Sequence, residues 1–315
     1  MTQEHQTALV LPPLPLDEWE ETKETLHRYC QIVGKVRMGL SPFRNHWWHV
    51  TLYVSARGLS TGPIPYGNET FEISLDLVDN GLAVATSSAD GFSFALDDLP
   101  VAGFYRRLFE GLRWLGIEAA INTKPFDLDD EQTLDDNIFH HVCDREYVRR
   151  YHRVLSWVDG VFEEFAGRFG GKTSPVQLYW HSFDLALTRF SGKKATLPED
   201  SDPVTREAYS HEVISFGFWP GDASVREPAF YSYTAPEPEG LTDHPLRPQG
   251  ARWLPEGGTA FLTYEEVRKS ASPKETLLGF MESAYGAGAK SAGWDMEALR
   301  THSPHGDAAK PGKGD

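Results

Sequence analysis

Twice along this chain the apolar residues change from helical spacing to an alternating period and back, which restricts the fold to helices packed on antiparallel strands. From Asp17 to about Arg37, Trp19, Leu26, Tyr29, Cys30, Val33 and Val36 recur at helical intervals, with Asp17 and Glu18 suited to the first turn. Three β-type runs follow, "WWHVTLYVS", "TFEISLDLV" and "LAVATSSADGFSFAL", with Asp79-Asn80-Gly81 as a hairpin turn signal. A second helical stripe, Val101, Phe104, Tyr105, Leu108, Leu112 and Leu115, opens near Pro100 and stops at Gly116.

The second half repeats that order. A short strand is predicted in "IEAAIN", then an acidic, aperiodic connector, then a long helix from about Asp144 to Phe169, ended by Gly170-Gly171. Strand patterns come next in "VQLYWHSFDLALTRF", "SHEVISFGFW", "AFYSYTA" and "TAFLTYEEV". Ser272-Pro273-Lys274-Glu275 reads as a capping box opening a last helix. The expectation is an α+β fold with antiparallel sheets covered by helices, in two related halves at 17–122 and 144–295. An acidic connector at 123–143 joins them, and the termini, 1–16 and 301–315, are extended or disordered.

A recurring motif supports the duplication. Trp48-His49 is followed eight residues later by Arg57, and Trp180-His181 by Arg189, at an offset of 132 residues read directly from the sequence. With nine Trp and twelve His in 315 positions, chance supplies about a third of one Trp-His dipeptide. If each motif is a strand, His and Arg share a face but lie roughly 26 Å apart, so neither copy forms a site alone. Antiparallel and adjacent, the copies would bring His49 to Arg189 and His181 to Arg57. Each end would then offer a guanidinium fork and an imidazole to a carboxylate or phosphate. The faces differ, however. His49, Thr51, Tyr53, Ser55 and Arg57 make a polar face, whereas His181 and Arg189 bracket Phe183, Leu185 and Leu187, leaving Ser182, Asp184, Ala186 and Thr188 opposite.

From this pattern His49 and His181 are the candidate acid–base residues. Arg57, Arg189, Asp184, Trp48, Trp180 and His211 are the candidate ligand contacts. His211 joins His181 only if their strands pair. Trp47, Trp48, Tyr53, Tyr179, Trp180 and Trp219 can also make a stacking platform for a sugar or planar ligand. The competing reading is structural: packed indoles, hydrogen-bonded imidazoles, and arginines paired with carboxylates in a protein that only packs or associates.

Other chemistries find little support. "FHHVCDREYVRRYH" holds metal-ligand residue types without their usual spacing, and the run Asp127, Asp129, Asp130, Glu131, Asp135, Asp136 lacks the glycine of a calcium loop, so no metal is expected. No GxGxxG, GxxxxGK[ST] or GxSxG occurs, and no cofactor is expected. A net charge of −16 without a basic stripe repels phosphate backbones, so nucleic acid is not an expected partner. Two cysteines, a proline-broken N-terminal run and no apolar stretch of membrane-spanning length place the chain in the cytoplasm.

The stretches "HWWHVTLYVSARGLSTGPIP", "LYWHSFDLALTRFSG" and "AYSHEVISFGFWPGD" resemble an uncharacterised bacterial family of unknown function, over most of the chain. That resemblance implies no activity. The combined expectation is a small anionic or polar metabolite bound, or turned over, where the two halves meet, with the oligomeric state open.

Overall fold

The computed structural model describes residues 11–128 and 132–301. The N-terminal ten residues, Asp129, Asp130, Glu131 and the predicted tail beyond Thr301 lie outside that range. The chain is α+β, with two antiparallel sheets and covering helices.

The first helix, α1 (Leu16–Leu40), is buried on nearly every side. Its apolar stripe enters the core, as its spacing predicts. Its polar residues are buried too, which the stripe does not predict, and they are satisfied at fixed points. Lys23 and Arg28 pair with Glu24, Lys35 caps the carbonyls of Asn122 and Lys124, and Gln31 exchanges two hydrogen bonds of 2.8 Å with the Phe126 backbone. Buried polar groups persist only when so paired. "IEAAIN" forms no strand, and from its last residue onward the carbonyls of Asn122 and Lys124 and the backbone of Phe126 are held by α1 side chains rather than by a ladder.

The first sheet holds β1 (Tyr53–Ser55), β2 (Gly58–Ser60), β3 (Ile64–Tyr66), β4 (Glu69–Asp76), β5 (Gly81–Thr86) and β6 (Gly91–Ala95), ordered β1-β2-β4-β5-β6 with β3 also on β4. Phe71, Ile73 and Leu75 alternate into the core with Leu82 and Val84 opposite. The hairpin at Asp79-Asn80-Gly81 forms as predicted, with Asn80 at a φ of 58°. Helix α2 (Val101–Trp114) follows.

Helix α3 (Arg145–Gly167) opens on Asp144, whose carboxylate accepts from the Glu146 and Tyr147 amides. The second sheet holds β7 (Gln177–Tyr179), β8 (Asp184–Lys194), β9 (His211–Trp219), β10 (Ala229–Ala235), β11 (Arg252–Trp253) and β12 (Ala260–Thr263), ordered β11-β12-β10-β9-β8-β7. The short helix α4 (Pro203–Ala208) lies between β8 and β9. "TAFLTYEEV" is half strand and half helix, because Thr263 caps α5 (Tyr264–Lys269) through the Glu266 amide. The last helix, α6 (Pro273–Ser291), begins at the predicted proline, yet Ser272 makes no side-chain cap bond.

The two sheets meet edge to edge. Leu52 and Leu178 exchange reciprocal backbone bonds of 2.9 and 2.7 Å, and the Thr51 hydroxyl donates to Gln177 at 2.9 Å. This brings the chain entering β1 beside β7, antiparallel, and leaves the Asp184–Arg189 stretch one strand further along on β8, so β7 stands between the strand parts of the two motif copies. They do not occupy equivalent places, however: Trp48-His49 precedes β1, whereas Trp180-His181 follows β7 in a tight turn. "WWHVTLYVS" is not one strand, since His46 and Trp47 take left-handed φ values of 56° and 61° and wind residues 45–47 into a short helical turn.

Candidate functional site

The expected His/Arg ends are not assembled. Arg57 sits in the β1–β2 turn, its side chain 55% exposed, where its Nε donates to Asp76 at 2.7 Å and a terminal nitrogen to Asp79. His49 is 5% exposed; its Nδ1 accepts from the Arg44 amide at 3.3 Å, and the rings of Phe43 and Trp47 flank it. Burial holds its imidazole below the ordinary pKa.

Arg189 is 1% exposed on β8, on the face of Leu185 and Leu187. Its guanidinium lies over the rings of Phe165 at 3.4 Å, Tyr285 at 4.6 Å and Phe169 at 5.0 Å, and it donates to the Phe165 carbonyl. Its Nε has no partner among the described residues. Burial lowers this guanidinium to about 10. These contacts make Arg189 a brace between β8, α3 and α6.

Trp180 is a clamp. Its indole N–H donates to the Val50 carbonyl at 2.7 Å, and the ring lies so close to Gly34 of α1 that a Cβ there would stand 2.1 Å from it. His27 of α1 adds to the same junction: its Nε2 lies 2.9 Å from the Trp180 carbonyl and 3.2 Å from that of His181, and its ring stacks on Phe183. Burial pushes His27 down to about 4, so it is neutral near neutral pH. Trp48 packs beside Phe190 under the Lys172 ammonium. His211 bonds to Ser210 and stands against His46, away from His181.

What the sequence pattern brings together is the opposite face of the second sheet. Period-two alternation places Gln177 and Tyr179 of β7, Asp184, Ala186 and Thr188 of β8, Ser215 and Gly217 of β9, and Tyr231 and Tyr233 of β10 on one side. The side turned to the helices carries Leu185, Leu187, Ile214, Phe216 and Phe230 instead.

At one end of the polar face Asp184, 7% exposed, accepts the Ser182 hydroxyl on one oxygen and the Tyr231 hydroxyl on the other. The tyrosine ring lies flat on Gly217, where a Cβ would meet its Cζ at 2.2 Å. Tyr231 and Tyr233 are parallel at 6.1 Å between centroids, Tyr233 and Tyr209 share a hydroxyl bond of 3.0 Å, and Tyr179 accepts from Gln177 at 2.9 Å. Thr188 and Ser215 bond to each other at 2.8 Å.

Burial raises the phenols of Tyr179, Tyr231 and Tyr233, so all three are protonated donors; Tyr53 and Tyr209 are close enough to contribute to the Tyr179 shift. Each of these residues is half-buried. His181 lies beside this group, its imidazole held below its ordinary pKa by burial while Asp184 and Asp127 pull the other way.

Of the sequence-predicted residues, Asp184 and His181 are thus brought together, and the platform residues Tyr53 and Tyr179 join them. Tyr209, Tyr231 and Tyr233 were not singled out in the sequence. Their signal was the tyrosine alternation of "AFYSYTA", which places Tyr231 and Tyr233 on one face.

A separate depression between β6 and α2, lined by Phe92, Phe94, Arg107 and Trp114, contains none of the candidate residues. Among the described residues no group of three or more His, Cys, Asp or Glu is placed to hold a metal ion. No described helix is long and apolar enough to cross a membrane.

No curated protein and no solved structure matches the chain. Residues 11–301 match the model of DUF5996, a family of unknown function, and the chain belongs to that family.

Proposed function

We propose that the protein binds a small polar ligand on the tyrosine face of the second sheet, with Asp184 as its anchor. The observation that carries this reading is a buried carboxylate held, among the described residues, by two neutral hydroxyls, at the edge of an aromatic surface whose Tyr231 ring lies on Gly217. A purely structural carboxylate at this depth is ordinarily matched by a cation. Here the surroundings are phenols, which stack on a ligand with one face and hydrogen-bond with one end.

His181 is the histidine suited to proton transfer, because burial favours its neutral form while the nearby Asp184 favours the charged one. Among the described residues the charged groups acting on His49 are Arg37 and Arg44, not an acid that could assist such a role. Arg57 donates to Asp76 and Asp79 in an exposed turn, and Arg189 is buried against Phe165, Phe169 and Tyr285 on the other face of the sheet, so neither presents a fork to this ligand.

A thermal-shift screen of polar metabolites tests the reading, since a ligand that binds only the folded chain raises its apparent stability. The expected hit loses its shift in Tyr233→Phe and Asp184→Asn while Arg57→Gln retains it. A hit that is insensitive to both tyrosine-face variants would place binding elsewhere.

A further inference from the structure

The ligand class follows from charge, given the reading of the tyrosine face as the binding surface. We propose that the group seated against Asp184 is an ammonium cation, a primary or substituted amine, rather than a carboxylate or phosphate.

Three observations converge on this. First, Asp184 takes part in no ion pair among the described residues, and its donors are the uncharged hydroxyls of Ser182 and Tyr231. A buried carboxylate without a counter-charge is costly, and the complement that relieves it is positive. Second, the cations of this region are taken: His181 is biased to its neutral form, Arg37 lies over the Tyr53 ring and donates to the Thr51 carbonyl and the Tyr53 hydroxyl, and the Arg57 and Arg189 guanidinium groups are engaged elsewhere. Third, the rings around the carboxylate are phenols. Tyr231 lies flat beside it and parallel to Tyr233, with Tyr179 as the register partner of Asp184 across the β7–β8 pair. Phenol faces attract cations and repel anions. A chain carrying a net charge of −16 reinforces the same preference at long range.

The geometry also orders the contacts. The ammonium donates to Asp184 oxygens whose remaining lone pairs are not taken by Ser182 and Tyr231, and its carbon skeleton lies along the Tyr231 and Tyr233 rings. No bond is made or broken in this step.

A matched series reads the charge directly: 2-phenylethylammonium, 2-phenylethanol and 3-phenylpropionate share a skeleton and differ in charge. Titrated calorimetrically into the full chain in 150 mM salt, roughly the ionic strength that screens exposed charge beyond about 8 Å, the ammonium compound is expected to bind at least tenfold more tightly than the other two. Asp184→Asn, with its fold checked by circular dichroism, is expected to abolish that preference. If Asp184→Asn does not fold, Ser182→Ala serves, and a several-fold loss confined to the ammonium compound is expected.

If the alcohol or the acid binds as tightly and Tyr233→Phe weakens it, the tyrosine face is a binding surface and the cation assignment is overturned. If none of the three binds and no screened metabolite responds to the tyrosine-face variants, both the assignment and the surface fall together.

Discussion

Gly217→Ala is the sharpest probe of the tyrosine face because it changes no titrating group. Gly217 is held on both sides, paired with Ala186 of β8 and Tyr231 of β10, so its backbone cannot retreat. The added methyl would lie 2.2 Å from Tyr231 Cζ and 2.3 Å from both Cε1 and the hydroxyl oxygen. Ordinary contact needs more than 3.4 Å, so the ring must shift by over an ångström and withdraw its hydroxyl from Asp184.

Losing a hydrogen bond to a charged acceptor costs ~1.5–3 kcal/mol. Replacing a strand-interior glycine by alanine returns ~0.5–1 kcal/mol. The net expectation is a loss of ~1–2 kcal/mol, which lowers the melting temperature by roughly 2–8 °C in a chain of a few hundred residues. Urea denaturation measures the loss, and a cycle with Tyr231→Phe isolates its cause. Once the hydroxyl is gone, the methyl displaces only ring carbons, so the two changes should couple by ~1 kcal/mol or more. Additive costs, or a Gly217→Ala chain as stable as the parent, would refute the flat-ring account.

Three further outcomes follow from other contacts. Gly34→Ala should destabilise by ~2–4 kcal/mol in urea, since helix propensity returns only ~1 kcal/mol while the methyl displaces a buried indole and its bond to Val50; a stabilised variant would show that Trp180 is free to move. Arg189→Met should lie within ~1 kcal/mol of the parent or above it, because it removes a buried cation with an orphaned Nε, whereas Arg189→Ala leaves a cavity and should cost ~3 kcal/mol or more. His27 has its folded pKa lowered to about 4, so between about 6.5 and about 4 the unfolded chain binds the proton that the folded chain refuses. Stability therefore falls as pH drops through that window, by up to ~3 kcal/mol from this group, and a His27→Gln chain should show a shallower fall in denaturation midpoint over the same range.

The helices were legible because burial on one side leaves a periodic trace. Val101, Phe104, Leu108 and Leu112 of α2, and Tyr151, Val154, Leu155, Val158, Phe162 and Phe165 of α3, are all buried as their spacing predicts. The acid connector hid a different kind of order. Its backbone groups are satisfied by Gln31 and Lys35, side chains more than eighty residues away on α1, and no local pattern encodes such a partner. "TAFLTYEEV" failed as a single strand for a local reason that was readable: Thr263 with Glu266 three residues on is a capping signature, and it ends the strand.

The repeated Trp-His pair shows how proximity and role come apart. The chain beside its two copies does meet, joined at Leu52 and Leu178 and pinned by the Trp180 indole on Val50, but β7 lies between that junction and the strand that carries Arg189. Eight-residue spacing was a guide to neither Arg, because the chain bends before β1 and turns after β7, and each bend resets which residues share a face. Arg189 lands among Leu185 and Leu187 on the helix side, as the alternation within its own strand already implied. The same alternation put Asp184, Ala186 and Thr188 on the other side, which is where the tyrosines gather. Strand parity therefore separates Arg189, on the helix-packed face of β8, from Asp184, on the face that carries the tyrosines. What parity leaves open is which face of a sheet stays uncovered, since that depends on where α3 and α6 pack and not on any residue of β8.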